Sequence, residues 1–344
     1  MPKTSSVSPS PNGKSSGLRI VALGGGTGLS ALLRGLKEFV ARRKSDPRPI
    51  AELTAVVTVT DDGGSSGRLR REYRMLPPGD IRNCMVALSK DEALLSRLFQ
   101  YRFGSGAGLR GHSFGNLFLT ALTHVTGDFN EAVKLSGEVL AIRGRIYPSS
   151  LNNVQLEAVL ENGRRVRGET RISRSTVPIR RVSLVPRRAR PLAESLYAIR
   201  DADVITFGPG SLYTSVIPNV LVPGVVEAVR KSRARKVYIA NLMTQPGETT
   251  GMTAADHIRA VYDHTGPRLF DTVVLNNGGI APRLLRKYAQ QGAAPVEASV
   301  RELQALGVRC IFDNLVEEHG ALVRHNAPRL TRLLLEEFSP QASK

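Results

Sequence analysis

Tryptophan is absent from this 344-residue chain, cysteine occurs twice, and the aromatic residues together make up 5% of it. Each shortage closes off a class of function. Cys84 and Cys310 have no C-x-x-C partner and no zinc-ligand spacing, which excludes a disulfide framework and a structural zinc site. The pair suits a reducing, cytoplasmic setting. No apolar run approaches the roughly 20 residues of a membrane-spanning helix, so the protein is not membrane-inserted. The N-terminal segment, Met1 to Gly17, is rich in Ser, Pro and Gly and lacks the apolar core of a secretory signal. It reads as a disordered tail. No G-x-x-x-x-G-K-[ST] loop, H-E-x-x-H helix or Ser/His/Asp order is present.

Acids are also short. Lys and Arg number 48 against 30 Asp and Glu, a formal net charge of +18, which raises the question of nucleic acid. The distribution argues against it. Ten arginines lie between Arg164 and Arg190 with a single acid, Glu169, and no aromatic on which a base could stack. The block reads as a solvated, Arg-rich β-surface. An acidic partner or an anionic membrane surface stays open as its counterpart.

The 41% of hydrophobic residues can bury a full core. They are arranged mainly as alternating strands and helices. Strand 19–23 leads to helix 29–42, a polar connection over 43–49, and strand 53–60, whose Val/Thr run suits a strand buried on both faces. Asp80 is a candidate N-cap for helix 81–89. Helices follow over 92–102, 116–126 and 130–140. Between about 146 and 191 the character changes, and 154–160, Glu161-Asn162-Gly163 and 166–172 read as a hairpin. The α/β rhythm then resumes with strand 203–207, helix 222–232, strand 236–240, helix 253–265 and strand 272–276. The expectation is a single α/β domain over 18–330, a doubly wound, mainly parallel, Rossmann-like sheet with a β-rich insertion. Residues 331–344 are expected to form a C-terminal helix or tail.

The loops carry the chemistry. Leu18–Leu23 runs straight into Gly24, Gly25, Gly26, Thr27 and Gly28, and an apolar helical pattern follows. Read as G-x-G-x-x-A on Gly26, Gly28 and Ala31, this matches a phosphate-binding fingerprint, because unpartnered N–H groups at a helix start can point at an anion. The other strands also end in polar, glycine-rich turns: Asp61 to Gly67, Gly208 to Ser215, Asn241 to Glu248, and Asn276 to Gly279. In a parallel sheet these turns share one edge, where ligands bind. Gly208, Gly210, Ser211, Thr214 and Ser215 offer N–H groups and hydroxyls. Asn241, Gln245 and Asn276 can both donate and accept, as a base edge or sugar requires. Asp61 and Asp62 can bind a hard cation such as Mg²⁺, hydrogen-bond a ribose, or simply form an Asx turn. They follow Gly28 by over 30 residues, whereas a dinucleotide enzyme places its ribose acid about 20 residues on, which disfavours a standard dehydrogenase. His112 can act as a base, a phosphate ligand or a hydrogen-bonded loop residue.

Gly24–Gly28, Thr60–Leu69, Leu76–Asn83, Gly111–Asn116, Gly208–Ser215 and Asn241–Thr249, in this order, resemble the bacterial YvcK-type gluconeogenesis factors, over about residues 18–330. That family belongs to the superfamily of 2-phospho-L-lactate transferase, CofD. The resemblance implies a CofD-like fold and a cytoplasmic protein that binds UDP-sugars such as UDP-N-acetylglucosamine. It also implies a link to cell shape and peptidoglycan synthesis under gluconeogenic growth, with cell-wall synthesis proteins as partners. Its motifs add Ser65, Ser66, Asp80, Arg82, Asn83, His112, Ser113, Asn116 and Thr244 to the candidate ligand residues, and Asn219, just past the Gly208–Ser215 motif, joins them. Mg²⁺ is a candidate cofactor and a homo-oligomer a candidate state. The alternative is a transferase using a nucleoside-diphosphate-linked donor. Gly63-Gly64-Ser65-Ser66 stands where the transferases have other residues, so no catalytic residue is assigned.

Overall fold

A computed structural model describes residues 17–41, 48–90 and 94–339, apart from the side chain of Leu95. Most of the expected N-terminal tail and residues 340–344 lie outside this range. The chain begins with β1 (Leu18–Gly24), α1 (Gly26–Leu36) and β2 (Ile50–Val57). Five helices follow: α2 (Gly64–Tyr73), α3 (Gly79–Leu88), α4 (Leu94–Gln100), α5 (Phe114–Thr126) and α6 (Phe129–Val139). They lead to β3 (Arg145–Pro148). The next segment holds β4 (Gln155–Leu160), β5 (Arg165–Arg167), α7 (Glu169–Ile172) and β6 (Ile179–Val185). Helix α8 (Ala193–Asp201) returns the chain to β7 (Val204–Phe207), followed by α9 (Ile217–Val220) and α10 (Val225–Lys231). Then come β8 (Arg235–Ile239), α11 (Ala254–Thr265), β9 (Thr272–Asn276), α12 (Pro282–Gln290), α13 (Val300–Ala305) and β10 (Arg309–Asp313). A hairpin of β11 (Val316–His319) and β12 (Leu322–His325) precedes α14 (Ala327–Phe338).

Seven strands pair in the order β10-β9-β8-β7-β1-β2-β3, all parallel. From β1 the chain winds one way through β2 and β3, then restarts at β7 and winds the other way. Right-handed crossovers then put the two sets of helices on opposite faces. On one side α1 packs on α3 and α14; α8 packs on α10. Helix α1 is held by Leu29, Leu32, Leu33 and Leu36, all buried, at the i, i+3, i+4, i+7 spacing of one helical stripe. The strands β4, β5 and β6 form a separate antiparallel sheet, β5-β4-β6, turned at Gly163, which has φ +81°. The expected doubly wound sheet with a β-rich insertion is what forms. Residues 145–148, at the start of the stretch read as insertion, are the edge strand of the main sheet.

Several element boundaries move. Strand β2 ends at Val57, because β1 ends opposite it at Gly24 and offers no further partner. Thr58 and Thr60 stay buried but leave the ladder. The expected end of the first helix at Arg42 lies outside the described residues, as does the expected start at Glu92. Asp80 does not cap α3: Pro78 is the N-cap residue, and Asp80 sits inside the first turn. The loop from Gly64 winds into α2. The second hairpin arm has only three strand residues before α7 takes over. Helix α10 begins at Val225, after Gly224 with φ +85°, and α14 begins four residues before the expected C-terminal segment.

Candidate functional site

The strand order reverses between β1 and β7, and the loops after those two strands meet there. Helix α1 opens with Gly25 as its N-cap residue and no capping side chain. Apart from the Gly26 N–H, which Asp80 accepts, no side chain caps this turn, and the helix dipole favours negative charge beside it. Gly26, at φ +63°, makes the turn. Gly28 permits the approach of the second loop: a Cβ there would stand 2.4 Å from the carbonyl oxygen of Pro209. After Gly208-Pro209-Gly210, residues Leu212–Val216 wind as a single π-helical turn, a form common at functional sites. Three side chains link this loop to its neighbour. Gln245 Nε2 donates to Ser211 Oγ at 2.8 Å, and Asn241 Nδ2 lies 3.5 Å from Gln245 Oε1.

These loops enclose a cleft of about 1020 Å³. Its polar rim includes Arg34, Arg82, Arg102 and Arg324. Arg82 comes from α3. Its Nη1 donates to Ser113 Oγ and its Nη2 to Asn83 Oδ1 at 2.7 Å, while its Nε is buried without a partner. Burial and the neighbouring Arg102 lower its pKa, against the pull of Asp80 and Asp61. A guanidinium so placed gains from an incoming anion.

Beside the cleft lies a recess of about 320 Å³ that shares Gly26, Thr27, Ser211, Ser215, Gln245 and Pro246 with it. Its character is opposite. Asp61, Asp80, Glu169 and Glu248 line it, and no lysine or arginine does. Asp80 accepts the Gly26 N–H, and burial, with the nearby Asp61 charge, pushes its carboxyl up to about 6. Burial, reinforced by Asp61 and Asp80, raises Glu169 well above the usual carboxylate range, although Thr60 Oγ1 donates to it at 2.9 Å. Burial also raises Glu248.

Of the residues expected at the site, Gly25–Gly28, Asp61, Asp80, Arg82, Asn83, Gly210, Ser211, Thr214, Ser215, Asn241, Thr244 and Gln245 line the cleft or recess. The others stand behind the walls. Asp62 faces the insertion and accepts from Thr170 N–H and Oγ1 at 2.9 and 2.7 Å. His112 Nδ1 meets Ser65 Oγ at 3.0 Å, and Asn116 Nδ2 donates to Ser65 and Ser66. Ser113 caps α5 and takes the Arg82 hydrogen bond. Asn219 ties together the carbonyls of Gly24, which ends β1, and Ser215. Gly208, at φ +82°, shapes its loop. Asn276 closes its own turn and accepts from Leu315 N–H, so it steadies the β11–β12 hairpin, which forms that wall instead.

Glu169, Glu248, Arg34, Arg102 and Arg324 were not foreseen. A signal existed for the first two, since Glu169 is the sole acid in the arginine block and Glu248 ends the Asn241 loop. For Mg²⁺ the fit is poor. Asp61 Oδ1 accepts Gly63 N–H at 2.8 Å, completing an Asx turn, and Asp62 is occupied by Thr170. Among the described residues no three His, Cys, Asp or Glu are placed to hold a metal ion. No single helix among them is long and apolar enough to cross a membrane.

Fold and cleft define a doubly wound α/β protein with an anion-ready crevice at its switch point and an acidic recess beside it. The chain belongs to the 2-phospho-L-lactate transferase CofD family, whose model matches residues 20–316. It is 50% identical over 317 residues to the gluconeogenesis factor of Halalkalibacterium halodurans, covering 92% of this chain and 95% of that one. Its identity to the gluconeogenesis factor of Bacillus subtilis is 48% over 318 residues, covering 92% and 97%. A crystal structure of a UPF0052-family protein from Bacillus halodurans superposes with a TM-score of 0.87 at 48% identity, covering 93% of this chain and 99% of that one.

Proposed function

We propose that the cleft binds a nucleoside-diphosphate-linked sugar of the UDP-N-acetylglucosamine type. On this reading the protein is a cytoplasmic regulator that couples supply of the precursor to cell-wall synthesis and cell shape during gluconeogenic growth. One observation carries the ligand class: Arg82, in no ion pair among the described residues and with Nε unpartnered, lines the same cleft as Gly25–Gly28 at the start of α1. A diphosphate satisfies both. The relatives named gluconeogenesis factor support the metabolic setting. The arginines between Arg164 and Arg190, all exposed, with only Arg165 and Arg167 paired to an acid, Glu157, among the described residues, offer a surface to a protein partner.

The test is thermal denaturation against UDP-sugars, GDP, NAD and ATP. UDP-N-acetylglucosamine at 100 times its dissociation constant should add about 2.7 kcal/mol of stability. No stabilisation by any of these removes the reading. The family description favours a second reading, a transferase with a nucleoside-diphosphate-linked donor, in which the recess holding Asp61 seats the acceptor. Incubation with UDP-N-acetylglucosamine, Mg²⁺ and a deazaflavin acceptor separates the two. Saturable binding without product supports the regulator, and stoichiometric release of nucleotide supports the transferase.

A further inference from the structure

We propose that the acidic recess is the subsite for the neutral sugar ring of the nucleotide-linked ligand, and that Glu248 and Glu169 make the protein prefer a nucleotide sugar to the bare nucleotide. The inference rests on the nucleotide-sugar reading above and adds where and how the sugar is recognised.

Charge fixes which part of such a ligand can enter. The cleft and the recess share one wall, yet four arginines line the first and four carboxyl groups line the second. A diphosphate in the recess would face four carboxyl groups with no cation among the lining residues, and each of them that is ionised repels it. The phosphates therefore stay at the rim. No aromatic residue lines the recess, so it offers no stacking face to a base. What suits it is a compact, uncharged group rich in hydroxyl and amide hydrogens. The volume of about 320 Å³ sits at the small end of ligand pockets.

A second observation points to a missing partner. Glu248 is 5% exposed, and its Oε1 accepts from Thr214 Oγ1 at 3.1 Å and Ser173 Oγ at 3.3 Å. Its Oε2 is buried and makes no well-formed hydrogen bond, while the Tyr213 backbone N–H lies close enough to favour the carboxylate. An acceptor removed from water and left unmet is costly, and a sugar hydroxyl or N-acetyl N–H supplies the donor. Glu169 reaches the recess from the insertion with a carboxyl group that burial holds toward its protonated form. Protonated, it can donate to a hydroxyl or carbonyl oxygen as well as accept. Both edges of a diol or an acetamido group are thereby matched. Glu169 and Ser173 bracket α7 in the insertion and Glu248 lies in the loop after β8, two segments that no dinucleotide fingerprint would include.

Isothermal titration of the full chain with UDP and with UDP-N-acetylglucosamine tests this. The wild type should bind the sugar nucleotide at least about tenfold more tightly than UDP, a difference of about 1.4 kcal/mol. Glu248→Gln replaces an accepting oxygen by a donor and should erase most of that preference while leaving UDP affinity within about twofold. Glu169→Gln, measured in the same way, covers the case in which Glu248→Gln does not fold; circular dichroism reports folding of both. Equal wild-type affinity for the two ligands, or variants that weaken both ligands alike or neither, overturns the proposal and leaves nucleotide binding intact. Failure of the wild type to bind either ligand removes the nucleotide-sugar reading and this proposal with it.

Discussion

Asp80 lies beneath the first turn of α1, and its titration can be isolated by a single substitution. Burial, with help from Asp61, lifts its pKa from an ordinary 3.8 to about 6. The folded protein therefore keeps the proton over a pH range in which the unfolded chain has lost it. Such a group contributes its stability fully below 3.8, and that stability is lost as pH rises through about 6. The interval of about two units corresponds to about 3 kcal/mol at about 1.36 kcal/mol per unit. Asn in its place retains a carbonyl oxygen for the Gly26 N–H and does not titrate. The stability of the wild type minus that of Asp80→Asn should thus fall by about 3 kcal/mol from about pH 4 to about pH 7. Urea unfolding followed by circular dichroism across that range measures it. Glu169 and Glu248 titrate in both proteins and largely cancel in the difference. A difference that stays flat with pH, or rises, refutes the placement of a buried carboxyl under this helix.

Gly28→Ala pushes a methyl group against backbone at Pro209, which cannot rotate away, and should cost about 1–3 kcal/mol by thermal melting. It should also weaken nucleotide binding, because the two phosphate-facing loops must part. Arg82→Ala removes a charged donor and should lower UDP affinity by about 1.5–3 kcal/mol, read by calorimetry; unchanged affinity would remove Arg82 from the ligand. Buried His257, whose Nδ1 meets the Tyr238 hydroxyl at 3.1 Å, is held down to about 4 by burial. Its contribution is present above the unfolded value of 6.5 and is lost as pH falls toward 4, so the wild type should lose about 3 kcal/mol relative to His257→Gln in acid unfolding over that interval.

The parallel sheet and its switch point were readable because strands buried on both faces leave continuous Val, Ile and Leu runs, and each such run ends in a glycine turn. The loops that line the cleft after β1, β7 and β8 were found this way. What the pattern hides is direction. Asp61 and Asp62 are adjacent, yet the first opens on the recess and the second is pinned to Thr170 across the insertion. Nothing in the local sequence separates them, since the choice is made by α7, more than 100 residues away. His112, Ser65 and Asn116 were expected among the ligand residues because they fall in the motifs that carry the family resemblance. The fold spends them on one another, steadying α2 and, through Ser113, the Arg82 guanidinium. Helix α2 escaped notice because its first turn is Gly64-Ser65-Ser66-Gly67, a composition with weak helical preference. Buried Arg70, whose Nη1 donates to the Thr60 carbonyl at 3.2 Å, anchors it from behind.

The division of charge across the site gives the bound ligand a direction. Arginines reach the cleft from α1, α3, β12 and the segment after α4, while the acids arrive from the turns after β2 and β8, from the insertion and from the first turn of α3. Reversing a molecule with an anionic centre and a neutral polar end would place phosphate among carboxyl groups and leave the arginines facing hydroxyls. Both changes are unfavourable, so orientation is selected by repulsion as much as by attraction. The recess acids can only fulfil this role while at least partly ionised. Lowering the pH through about 6, where Asp80 takes up its proton, relaxes the repulsion felt by phosphate without touching the arginines. UDP-N-acetylglucosamine, whose diphosphate diester has no ionisation in this range, should therefore bind more tightly near pH 5 than near pH 8, with the opposite trend expected if the phosphates were held by neutral groups beside a metal-bound carboxylate cluster.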